Sequence, residues 1–285
     1  MQEVITILNN LFDIISFDSS YAERYIYIIL ISLFSSIIFL LLFKLTSNQV
    51  KIQKNKNLIY ANMLQMRIYK DKLLLLILSI LNIFKYNLLY IKQTIIPFMV
   101  ICIPLIILTV QLNNRTGYTP LEKNESFIIR AELDENTAKV NSANYLDNIY
   151  CQTSSGIQIE TAPLRIPSER AVFWRGRVVS DGEDGEGSIR VGIRGGSEKI
   201  IEKKVITDNG AKRFSPVKVK WSLWSGLVNN AEGFLQGNSF VKSISIKYKR
   251  ARYHFFIWNL DSLVLYLILT LVFAFSLKSL FKVVI

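Results

Sequence analysis

Side chains suited to bond-making chemistry are few in this sequence, and their spacing argues against a catalytic constellation. His254 is the single histidine, and Asp261 follows it seven residues later at the edge of an apolar run. Acyl transfer needs a nucleophile, a base and an orienting carboxylate that converge on one point. One histidine beside an apolar run does not supply that, and it reads as an interfacial residue. Cys102 lies inside an apolar run and Cys151 in a polar segment, so no His and Cys cluster is available for zinc. Neither a GxxxxGKS/T phosphate loop nor a dinucleotide fingerprint occurs. Glu132, Asp134 and Glu135 read as solvated carboxylates. The acidic run Asp181 to Gly187, DGEDGEG, reads as a hairpin loop whose glycines take positive φ. Calcium is the alternative there, although the ligand spacing and terminal Glu of an EF-hand are missing. The expectation is a non-enzymatic protein with no resident cofactor or metal.

The chemistry that does stand out is positive charge. Between Lys44 and Ile95 lie nine basic side chains, Lys51, Lys54, Lys56, Arg67, Lys70 and Lys72 among them, against the single acid Asp71. Lys and Arg in a short loop hold it on the cytoplasmic side of a membrane. The whole chain carries a formal charge of +12. Basic groups beside anionic headgroups, at about 1 kcal/mol each, account for it without nucleic acid, and no basic and aromatic motif of a nucleic-acid reader is present.

Positioning those charges requires spans on either side. Residues 25–43 are uncharged and 19 residues long, about 28 Å as a helix, which matches the hydrocarbon core of a bilayer. Residues 94–112 and 255–277 are the second and third predicted spans. Segment 1–24 has a net charge of −3 and reads as an external segment in which Gln2 to Ser16 form an amphipathic surface helix. The resulting order is an external N-terminus, a basic cytoplasmic hairpin at 44–93, an external region at 113–254 and a cytoplasmic tail at 278–285. This is an integral membrane topology, read as that of a bacterial inner-membrane protein. Leu73 to Phe84 is an apolar run that reads as interfacial, with a fourth crossing reaching Ile91 as the alternative.

Region 113–254 changes to short alternating stretches punctuated by Gly, Asn and Pro, the signature of β structure. Predicted strands are Phe127 to Leu133, Gly156 to Glu160, Ala171 to Val179, Gly187 to Ile193, Ile200 to Thr207, Pro216 to Trp221 and Phe240 to Lys249. In the last, Ile244, Ile246 and Tyr248 share one face. Seven such strands predict an all-β, sandwich-like domain. Trp221 to Ser225 spells WSLWS, the box of class I cytokine receptors. The paired cysteines and single span of those receptors are missing, so two tryptophans that pack onto the sandwich or sit near the membrane face are the expectation.

Asn48 to Tyr69 and Lys70 to Gln93 read as two helices with a bend near Tyr69 to Lys72. Ile52, Leu58, Ile59, Met63 and Met66 form the apolar strip of the first. The second runs without a strong breaker into the next span. Ser32, Ser35 and Ser36 sit near the centre of the first span, and Pro97 and Pro104 in the second. Hydroxyls can bond helical carbonyls and prolines can kink membrane helices. The other reading is a wetted groove between helices bordered by Ser32, Ser35, Ser36, Pro97 and Pro104.

This order of external N-terminus, span, basic helical pair, span and returning span with a basic tail resembles the YidC/Oxa-type membrane-protein insertase superfamily. The resemblance implies a hydrophilic groove open to cytoplasm and bilayer, bordered by polar positions such as Ser32, Ser35, Ser36 and Gln65, and a basic hairpin that receives hydrophobic client proteins. Two features depart from the family: the first span has no intramembrane Arg, and the external β region lies between the second and third spans. The expected function is a membrane-protein insertase or assembly factor with client proteins, other membrane subunits and anionic lipid headgroups as partners. An envelope scaffold or sensor whose external domain binds a protein partner is the alternative. A transporter or channel subunit is disfavoured, because Asp261 is the sole carboxylate within the predicted spans.

Overall fold

A computed structural model describes residues 21–134, 145–154, 156–180, 186–194, 200–207, 213–222, 225, 228–229 and 231–284. The predicted surface helix Gln2 to Ser16, Glu135, residues 181–185 of the acidic loop and Trp224 of the WSLWS box lie outside the described residues. The chain divides into two compact units, one of Met1–Ile28 with Val110–Leu265 and the other of Ile29–Thr109 with Tyr266–Ile285.

The first unit is β-rich and antiparallel. One sheet runs in the order β3 (Ile157–Ile159), β5 (Ala171–Val178), β1 (Ser126–Leu133), β9 (Val241–Ile246), β8 (Val217–Val219), with β4 (Leu164–Ile166) also pairing with β5. A second sheet runs β2 (Ile149–Thr153), β6 (Glu186–Ile193), β7 (Ile201–Ile206). Alternation decides which residues turn inward. Phe127, Ile129, Ala131 and Leu133 of β1 join Trp174, Ile189, Val191, Val205, Ile244, Ile246 and Tyr248 in one apolar cluster shared by both sheets. Register follows from that face, since Ile129 pairs with Trp174 on one side and Ile246 on the other. Gly176 lies opposite Phe127, and a Cβ there would stand 3.0 Å from the ring. Each of the seven predicted strands is present.

Cys151 on β2 is half-buried, and burial pushes its thiol from 9.0 up to about 12. Burial also holds the Tyr248 hydroxyl well above its ordinary value. A folded-state pKa above the unfolded one means that the folded chain binds more protons between the two values, so stability is full below pH 9 and falls toward pH 12. Cys151→Ala is expected to flatten that alkaline decline in denaturant titrations of the full chain in detergent. An unchanged slope would show that the thiol is not linked to folding.

The last predicted span begins later than its hydropathy suggests. Residues 255–261 are not helical: Arg252–Phe255 (β10) and Trp258–Asp261 (β11) form a two-stranded ribbon, and helix α4 occupies Ser262–Leu277. The ribbon exists because Phe256 takes a left-handed turn at φ 53°, which reverses the chain inside an apolar run.

The second unit is helical. Helix α1 is Tyr21–Thr46, α2 is Gln49–Ile68 and α3 is Leu73–Thr116; α1 and α3 enter this unit at Ile29 and leave it at Thr109. Both are long and apolar enough to cross a membrane. Asn48 caps α2 by accepting from the Lys51 amide at 3.1 Å. Tyr69 closes it by donating to the Gln65 carbonyl at 2.9 Å. Helix α3 is 44 residues long, about 66 Å, and runs through Pro97 and Pro104 from the predicted hairpin into the predicted span. The apolar strip expected on α2 is not its buried face. Ile52 is buried, but it is joined by Asn55 and Asn62, while Met63 is exposed. The amides explain the inversion: Asn55 donates to Gln93 Oε1 of α3 at 3.2 Å, and Asn62 to the Leu58 carbonyl at 2.7 Å.

Candidate functional site

The hairpin of α2 and the first half of α3 has an unusual outer surface. Lys51, Lys54, Arg67, Lys70 and Lys72 are exposed and Lys56 is half-buried. Interspersed on α2 are exposed Val50, Tyr60, Met63, Leu64 and Ile68, and α3 continues the apolar surface with Leu73, Leu74, Ile77, Leu78 and Leu81. Near the start of α2, Gln49, Val50, Gln53, Lys54, Asn57 and Leu58 line an open recess of about 570 Å³. Apolar side chains turned outward beside ammonium groups suit a hydrophobic segment with acidic flanks, or lipid with anionic headgroups.

The three serines do come together with other polar groups. Ser32, Ser35 and Ser36 are fully buried. Ser35 donates to the Ile31 carbonyl at 2.6 Å and Ser36 to the Leu33 carbonyl at 2.7 Å, the back-bonding open to hydroxyls in helices. Ser32 reaches across to the Tyr266 carbonyl of α4 at 3.4 Å. The Tyr266 hydroxyl lies beside the hydroxyls of Ser35 and Thr270. Even so, Tyr266 Oη and Thr270 Oγ1 are buried with no hydrogen-bond partner among the described residues. Gln65, Pro97 and Pro104 belong to other elements, α2 and α3. Pro97 is buried, and Pro104 and Gln65 are half-buried. Tyr266 and Thr270 were missed from the sequence because they are spaced i, i+4 inside an apolar run, with no sign of which way that face turns.

In the β unit a second polar feature escaped the sequence reading. Lys203 of β7 has a side chain only 1% exposed. Its ammonium donates to Glu232 Oε2 at 2.5 Å and to the Ser215 carbonyl. Glu232 also accepts from the Lys204 amide at 2.9 Å and lies 3.4 Å from the Lys218 ammonium. Burial lowers the Lys203 pKa, and the facing Glu232 carboxylate partly restores it. Next to this group, a recess of about 380 Å³ is lined by Ile201, Glu202, Lys218, Leu235, Gln236 and Ser239. Inward residues of β7 alternate at 201, 203 and 205, so a lysine at an inward position was the available signal.

His254 and Asp261 do not form a pair. They lie on opposite strands of the β10–β11 ribbon, where His254 faces Asn259 and Asp261 faces Arg252. From the WSLWS box, Trp221 is exposed, and Ser225 accepts from the Ser222 amide at 2.7 Å while donating to the Lys220 carbonyl. No protein-family profile, curated protein or solved structure matches the chain.

Proposed function

We propose that this chain is an integral membrane protein with three crossings, α1, the later part of α3 and α4, that acts as a membrane-protein insertase or assembly factor of YidC/Oxa type. Its N-terminus is external, the α2–α3 hairpin and the C-terminal tail are cytoplasmic, and a bacterial inner membrane is the proposed location. The observation that carries the reading is the hairpin surface, where exposed Tyr60, Met63, Leu64 and Ile68 alternate with Lys51, Lys54, Arg67 and Lys70. A folded, water-exposed helical pair would turn those apolar groups inward. A surface that receives apolar client segments from the cytoplasm has a use for them outside. The hydroxyls of Tyr266 and Thr270 support the reading, because they are buried within an apolar helical unit and lack a hydrogen-bond partner among the described residues.

A photo-crosslinker at Leu64 or Ile68 should capture nascent membrane segments during synthesis, and depletion should reduce insertion of clients with short polar external flanks. Clients that insert normally after depletion, together with no nascent-chain adducts, would remove the proposal. A second reading, an envelope scaffold or sensor, is favoured by the recess beside Lys218 and the buried Lys203–Glu232 pair. Under that reading a folded external protein, crosslinked through residues such as Gln236, would dominate the adducts.

A further inference from the structure

The β10–β11 ribbon ends in an apolar tip that no described residue of its own unit covers. Phe256 is 90% exposed, Ile257 92% and Trp258 67%. Phe255 and Phe256 meet edge to face at 5.0 Å, so the tip is a small aromatic wedge. Its turn chemistry is also costly. A two-residue hairpin turn with positive φ at its first central position favours Gly, and a bulky residue there is a genuine outlier; here Phe256 has φ 53°. In water, the exposure of three large apolar side chains at this tip would be unfavourable.

Side-chain contacts tie the ribbon to the start of α1 and the end of α3. Tyr253 is buried, donates to the Thr116 carbonyl at the end of α3 at 2.8 Å, and stacks edge-on with Tyr25 of α1 at 5.0 Å. Tyr25 donates to the His254 carbonyl at 3.2 Å. Arg24 donates to the Tyr118 carbonyl at 3.3 Å, and the Arg250 guanidinium lies over the Tyr118 ring at 5.0 Å. Amphipathic aromatics and basic groups gathered where two long apolar helices end are the composition of a membrane–water boundary. Chain continuity points the same way. The ribbon leads directly into α4, whose 16 residues span about 24 Å, short of a hydrocarbon core about 30 Å thick.

We infer that the Phe256–Ile257 turn and Trp258 enter the outer headgroup and acyl boundary of the bilayer, forming an interfacial anchor beside the short third crossing. The inference rests on the membrane reading above. It assigns the ribbon to lipid, as opposed to a second copy or a protein partner.

The test uses the full chain, with Cys102→Ala and Cys151→Ala as background, in nanodiscs of phosphatidylcholine and phosphatidylglycerol. A solvatochromic fluorophore is placed in turn at Ile257→Cys, at Phe98→Cys on the outer face of α3, and at Leu164→Cys on β4, all exposed positions. Nitroxide lipids labelled near the headgroup or deep in the acyl chain serve as quenchers. Expected are a blue shift at 257 with stronger quenching by the shallow nitroxide, quenching at 98, and neither at 164. Quenching at 98 with a water-like, unquenched probe at 257 would overturn the anchor and leave the membrane reading standing. A blue shift at 257 without lipid quenching would assign the tip to a protein surface and also overturn it. Absence of quenching at both 98 and 257 would overturn the membrane reading itself.

Discussion

Glu232→Gln should destabilise the β unit by about 3–5 kcal/mol, the cost of leaving a buried charge without its partner. Lys203 is almost wholly enclosed, and besides Glu232 its ammonium meets only the carbonyls of Ser215 and Lys204 among its described hydrogen bonds. With the carboxylate neutralised, Lys203 must either stay charged in an apolar setting or release its proton. Burial already lowers its pKa, and removal of Glu232 takes away the main opposing influence. The sign of the pH dependence follows. A lysine depressed in the folded state binds fewer protons there than in the unfolded chain, so stability rises with pH up to the unfolded value of about 10.4. Glu232→Gln should therefore be weakest near neutral pH and recover part of its loss toward pH 10, in amide exchange of the β6–β7 strands or in chemical denaturation. Lys203→Met should cost less, since Glu232 keeps Lys218 and the Lys204 amide. Equal losses in both variants, or a Glu232→Gln loss that does not vary with pH, would show that the pair is not a buried charge couple.

What the sequence reveals about this protein depends on whether the deciding interaction is local. Period-two alternation located the seven strands because inward and outward faces are written in neighbouring residues. Strands β2 and β4 escaped because they are short and mix polar with apolar groups. Ribbon β10–β11 escaped for a different reason. Phe255 to Leu260 count as membrane span by composition, and only the left-handed turn at Phe256 reverses the chain there. The cap at Asn48 and the close at Tyr69 agree with the predicted limits of α2. Its buried face did not follow the apolar strip, because Asn55 is matched to Gln93, 38 residues away. Glu232 is 29 residues from Lys203 and could not be paired with it from spacing. Of the candidate groove, the serines were legible as hydroxyls in an apolar run. Tyr266 and Thr270 depend on the rotation of α4 about its axis, which no local pattern states.

Tyr266→Phe together with Thr270→Val should make the helical unit more stable and, under the proposed insertase function, reduce insertion of polar-flanked clients. Each substitution deletes a buried hydroxyl that lacks a hydrogen-bond partner among the described residues and keeps most of the side chain's shape. A buried unsatisfied polar group costs about 1–3 kcal/mol, so the pair should raise resistance to denaturant in bicelles by up to several kcal/mol. Native proteins hold such groups where function needs them and stability suffers. If the polar groups around Ser35 supply hydrogen bonds to a passing polar flank, their removal raises the barrier for that flank. Insertion of clients with polar external segments should then fall, while wholly apolar clients insert as before. Tyr266→Phe without Thr270→Val should give an intermediate result, since Ser32 bonds the Tyr266 carbonyl and that contact survives the substitution. A loss of stability would mean that the hydroxyls are already satisfied, and unchanged insertion of polar-flanked clients would separate this buried polar group from client handling. A gain in stability paired with a selective loss of polar clients has no explanation in packing, because packing improves in the same variant.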